Sequence, residues 1–65
     1  MFEYIYFTDK DWGAFELKQR IFNDLAIEVE VEVERQDRAS PTRIKIQSNI
    51  ELTQTQLDNI KTIIG

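Results

Sequence analysis

Ile27-Glu28-Val29-Glu30-Val31-Glu32-Val33-Glu34 alternates β-branched and acidic residues without a break. On a helix these eight residues would scatter around the whole circumference. On a strand, Ile27, Val29, Val31 and Val33 share one face, and Glu28, Glu30, Glu32 and Glu34 share the other. The strand is read as Ile27 to Arg35, and the chain therefore carries a sheet with one dry face and one wet face.

The residues that follow extend this reading. Gln36-Asp37-Arg38-Ala39-Ser40-Pro41 is polar and ends in proline, as a connecting loop does. Thr42 to Ser48 reads as the next strand, with Ile44 and Ile46 dry and Arg43, Lys45 and Gln47 wet. Matching the faces of the hairpin sets Glu34 opposite Arg43, Glu32 opposite Lys45 and Glu30 opposite Gln47. Val33 then meets Ile44, and Val31 meets Ile46. Such cross-strand pairs contribute roughly 0.2–1 kcal/mol each. A slip of one residue would turn the valines outward, so the register is well specified.

Toward the N-terminus, Met1 to Thr8 is rich in strand formers. Both of its faces are apolar: Phe2, Tyr4 and Tyr6 on one, Ile5 and Phe7 on the other. Glu3 shares the second face, near the start of the strand. Thr8, Asp9 and Asp11 supply helix-start chemistry, which predicts a helix from about Asp9 or Lys10 to about Ala26. Its apolar stripe is Ala14, Leu17, Ile21, Phe22 and Leu25, with Lys18 intruding, Phe15 at the margin and Gly13 in the first turn. Beyond the hairpin, Thr53 and Gln56 form a T-x-x-Q capping box, and Leu52 and Leu57 are spaced to form a hydrophobic staple. Leu57, Ile60, Ile63 and Ile64 make the stripe of this last helix, and Gly65 can end it.

The order is strand, helix, strand, strand, helix. The predicted fold class is α+β, with both helices on the dry face of a three-stranded antiparallel sheet of order 1-3-2. Residues 1–65 are read as one domain. The arrangement resembles a truncated ferredoxin-like plait, a βαββαβ fold that stops before its final strand. It is also similar in element order to DinI-like proteins. Here a short neutral-to-basic helix stands in place of their acidic last helix. The likeness covers the order of elements alone, and no functional residue is carried over.

Composition narrows the chemistry. With no His and no Cys, the commonest general base, the commonest metal ligand, thiolate sites and disulfides are all removed. Ser40 and Ser48 lack a nucleophile-elbow context. The two glycines, Gly13 and Gly65, build no phosphate loop. No enzymatic role and no cofactor are expected. Same-face glutamates on a strand lie roughly 6.5–7 Å apart, too far for all four to converge on one cation at ligand distances near 2.4 Å. No metal site is expected from them. A net charge of −4 argues against broad nucleic-acid affinity and for a protein partner. No apolar run reaches membrane-spanning length, and no segment has the pattern of a signal peptide. A cytoplasmic location without membrane association is the expectation.

Recognition is therefore sought on surfaces. If Ile5 and Phe7 face the helices, then Phe2, Tyr4 and Tyr6 form an aromatic row on the open sheet face, bordered by Glu28, Glu30 and Glu32. Trp12 either extends that surface or covers the end of the sheet. In order 1-3-2 the first strand is also an edge, without Pro or Lys to blunt pairing. These residues predict a small protein-interaction module of inhibitor or adaptor type. The alternatives are a self-assembling homodimer subunit and a single-strand nucleic-acid binder that stacks bases on its tyrosines.

Overall fold

A computed structural model describes residues 1–35 and 41–65. The Gln36–Ser40 part of the predicted loop lies outside the described residues. The elements are β1 (Phe2–Thr8), α1 (Ala14–Leu25), β2 (Glu30–Glu34), β3 (Thr42–Ser48) and α2 (Gln54–Ile64). The sheet order is β1-β3-β2, and both pairings are antiparallel. β1 and β2 therefore run parallel to each other with β3 between them. The α+β class, the strand order and the placement of both helices on one face agree with the sequence.

The hairpin register also agrees at every position: Glu30 with Gln47, Val31 with Ile46, Glu32 with Lys45, Val33 with Ile44 and Glu34 with Arg43. The core consists of Leu17, Ile21, Val29, Ile44, Ile46, Leu52, Ile60 and Ile64. It draws on every layer and sits between the sheet and the two helices. α1 packs over β2, α2 over β1, and the helices touch each other.

The last helix starts as its sequence predicts. The Gln56 amide donates to Thr53 Oγ1 (3.1 Å), and the Thr53 amide donates to Gln56 Oε1 (2.9 Å). Leu52, just before the cap, is buried, and Leu57 packs against the core, as a staple requires. Gly65, at φ 95°, closes the helix by donating its amide to the Lys61 carbonyl.

The first helix departs from expectation. It begins at Ala14, with Gly13 as an extended N-cap that offers no side chain to the first turn. Thr8 is engaged elsewhere. It accepts from the Lys10 amide (3.0 Å), and its hydroxyl lies 3.3 Å from the carbonyls of Ile64 and Gly65. Asp11 pairs with Arg35. Thr8 thus ties the β1–α1 connection to the end of α2, and Asp11 ties it to the end of β2. Phe22, placed in the apolar stripe by periodicity, is 49% exposed. α1 presses on the sheet through Leu17 and Ile21, which turns Phe22 to the flank. Lys18, beside them, reaches Glu30 at 3.1 Å. The chain leaves α1 through Ala26 at φ 56°, ψ 34°, a left-handed residue whose amide bonds the Phe22 carbonyl. β2 is shorter than the predicted Ile27–Arg35 and spans Glu30–Glu34.

Candidate functional site: the β1 edge

The face of β1 is opposite to the one expected. Pairing with β3 sets Tyr4 opposite Ile46, Tyr6 opposite Ile44 and Phe2 opposite Ser48. Ile44 and Ile46 are fully buried beneath the helices, so Phe2, Tyr4 and Tyr6 lie on the helix side of the sheet. The tyrosines suit that side because each is an apolar body with a polar tip. The Leu52 amide donates to the Tyr4 hydroxyl at 3.0 Å, and the Tyr6 hydroxyl donates to the Leu57 carbonyl at 3.3 Å. Both hydroxyls therefore bond backbone at the start of α2. Burial raises the Tyr6 pKa above its ordinary value, with further contributions from Tyr4 and Asp58. Among the described residues, no buried side-chain polar atom lacks a partner.

Trp12 is likewise half-buried, and its indole N–H donates to the Ile64 carbonyl at 3.0 Å. It joins the approach to α1 to the end of α2.

The open face is built from three columns. Glu30, Glu32 and Glu34 stand on β2, and Gln47, Lys45 and Arg43 on β3. Glu3, Ile5 and Phe7 stand on β1. The acidic column is not a bare anionic strip. Arg43 bonds Glu34 at 2.9 Å, Lys45 lies 3.6 Å from Glu32, and Lys18 reaches Glu30. Glu3 joins the same network through Gln47 (3.0 Å) and Lys45 (3.8 Å). Exposed pairs of this kind contribute roughly 0–1 kcal/mol each, but they cancel much of the local field. Glu28 stands exposed ahead of β2. Among the described residues, no group of three acids is placed to hold a metal ion.

Exposed apolar side chains stand on α1 (Phe15, Phe22) and beyond β3 (Ile50) as well as on β1. Ile5 is 41% and Phe7 58% exposed, side by side on the open face. β1 is an outer strand, and among the described residues its free edge has no backbone partner. Beneath that edge, on the helix side, runs a groove of about 460 Å³ lined by Ile5, Tyr6, Phe7, Lys61, Ile64 and Gly65. An extended segment laid along β1 would find backbone hydrogen bonds in its plane. Its side chains would project alternately onto the Ile5–Phe7 surface and into the groove.

Sequence reasoning missed Ile5 and Phe7 as the exposed pair. The available signal was Glu3, the one charged residue of the strand, which shares their parity. Wet-face residues keep company along a strand, and Glu3 marked the wet face.

These elements define a small two-layer α+β protein with two outer strands, β2 lined by glutamates on its open face and β1 by Ile5 and Phe7. No protein-family model, curated protein or solved structure matches the chain. Among the described residues, no helix is long and apolar enough to cross a membrane.

Proposed function

We propose that this chain is a protein-interaction module, of adaptor or inhibitor type, that binds by strand addition at β1 and carries no catalytic chemistry of its own. The observation behind this reading is the coincidence of three features along Ile5–Phe7. They are a free backbone edge, two exposed apolar side chains and a groove against α2. Natural sheets blunt exposed edges with Lys, Pro, bulges or covering loops. Phe2–Thr8 contains none of the first two. The polar network on the rest of the open face frames this strip and sets its limits.

The tyrosine-stacking reading of single-strand nucleic-acid binding is not favoured. Tyr4 and Tyr6 lie beneath α2, and the one aromatic ring of β1 on the open face is Phe7.

The test is amide hydrogen exchange along Glu3–Phe7. It is measured in dilute protein, in concentrated protein, and with extended peptides selected by display against the folded chain. Slower exchange of β1 edge amides in either loaded state supports strand addition. Unchanged exchange in both, with binding absent or mapped to another surface, refutes it.

A further inference from the structure

We infer that the strand added at β1 is a second copy of this chain, paired antiparallel about a twofold axis at Tyr6; this rests on the strand-addition reading above. Antiparallel pairing of β1 with its own copy keeps faces matched only when residues of like parity meet. Three central registers satisfy this, about Tyr4, Ile5 and Tyr6. About Tyr4, each Ile5 would lie opposite a Glu3. About Ile5, each exposed Phe7 would lie opposite a Glu3. About Tyr6, Ile5 of one copy lies opposite Phe7 of the other, twice over. The four exposed apolar side chains then form one continuous patch. Aliphatic–aromatic cross-strand pairs of this kind are among the favourable ones.

The helices favour the same axis. Asp58 and Lys61 are three residues apart on α2 and exposed. Both stand level with Tyr6. Lys61 lines the groove together with Tyr6, and Asp58 directly follows Leu57, whose carbonyl accepts from the Tyr6 hydroxyl. Neither forms an ion pair among the described residues. α2 begins near Tyr4 and ends near Thr8, so it runs along β1 in the same direction. A twofold axis at Tyr6 sets α2 antiparallel to its copy and brings Lys61 of each toward Asp58 of the other. The surface is thus self-complementary in both apolar and charged groups, as an isologous interface requires. The approach of Glu3 toward Asp9 of the second copy falls beyond the paired segment. The product is a six-stranded sheet with four helices on one side.

Light scattering across a concentration series tests the idea. The mass is expected to rise from 7.7 kDa toward twice that value between low micromolar and low millimolar protein. Ile5→Lys and Phe7→Lys lie on the open face and leave the core intact, which circular dichroism checks. Each is expected to weaken association about tenfold or more, while Phe15→Lys on the outer side of α1 leaves it unchanged. Lys61→Asp weakens it, and adding Asp58→Lys restores it. The chain has no native cysteine, so the register can be read by cross-linking. Opposed residues in an antiparallel pair lie within disulfide reach, and Ile5→Cys chains mixed with Phe7→Cys chains should form the mixed disulfide preferentially. Preference for the Ile5→Cys homodimer overturns the Tyr6 axis. Association that survives Ile5→Lys and Phe7→Lys overturns pairing through β1. A chain that stays at 7.7 kDa, yet slows its β1 amides when a selected peptide binds, overturns self-pairing and leaves strand addition standing.

Discussion

Three consecutive residues of β1 give the sharpest test of this architecture. Alanine replaces Ile5, Tyr6 and Phe7 one at a time, and stability is read by urea unfolding in dilute protein, where association does not contribute. Tyr6 is half-buried against α2 and donates to the Leu57 carbonyl. Truncating a fully buried aromatic ring costs about 3–5 kcal/mol, and a half-buried ring costs roughly half of that. Loss of the hydrogen bond adds about 0.5–1.5 kcal/mol. Tyr6→Ala should therefore cost about 2–4 kcal/mol. A chain of 65 residues has a total stability of roughly 3–10 kcal/mol, so this is a large share. With a urea slope of about 1 kcal/mol/M for so small a domain, the midpoint should fall by at least about 2 M, or the folded baseline should vanish. Ile5→Ala and Phe7→Ala remove side chains that already face solvent. Each should cost no more than about 1 kcal/mol, the span of strand propensities. Trp12, the one tryptophan, is bonded to the Ile64 carbonyl and reports unfolding by fluorescence. If Phe7→Ala costs as much as Tyr6→Ala, the face of β1 is the reverse of the one described, and the docking strip goes with it.

Other consequences are open to the same assay. Thr53→Ala removes one half of the capping box on α2 and should destabilise the fold by about 1 kcal/mol. Ala26→Gly relieves a left-handed residue at the end of α1 and should stabilise by about 0.5–1 kcal/mol. The folded Tyr6 phenol titrates above 10.0 because of burial first, then the charges of Tyr4 and Asp58. The unfolded phenol releases its proton first as pH rises. The stabilisation from this group is thus whole below the unfolded pKa and is lost as pH climbs through the folded one. Comparing wild type with Tyr6→Phe at pH 9 and pH 11 isolates it. Wild type should lose more stability over that interval, and equal losses would count against the buried phenol.

How far the residues alone reached depended on how each element carried its signal. The alternation of Ile27–Glu34 determined a half-buried strand, though not its start at Glu30, and with Thr42–Ser48 it determined the register to the residue. There, polarity alternates with the period of the pleat, and any slip would bury glutamates. Thr53 and Gln56 determined the start of α2, because a capping box is a local exchange of hydrogen bonds that needs nothing distant. Element order and strand order followed from counting apolar faces that had to be covered. β1 carried no such contrast. Phe2, Tyr4, Tyr6, Ile5 and Phe7 are apolar on both sides, so periodicity was silent about which side went inward. Tertiary structure decided it. The tyrosine hydroxyls meet the Leu52 amide and the Leu57 carbonyl beneath α2, while Glu3 joins Gln47 and Lys45 on the open face. The start of α1 was decided in the same way, because Thr8 bonds the end of α2 and Asp11 pairs with Arg35, so neither caps the helix. Local pattern thus determined what each segment is. Contacts between residues some fifty positions apart decided which way β1 faces, and so which of its side chains remain for a partner.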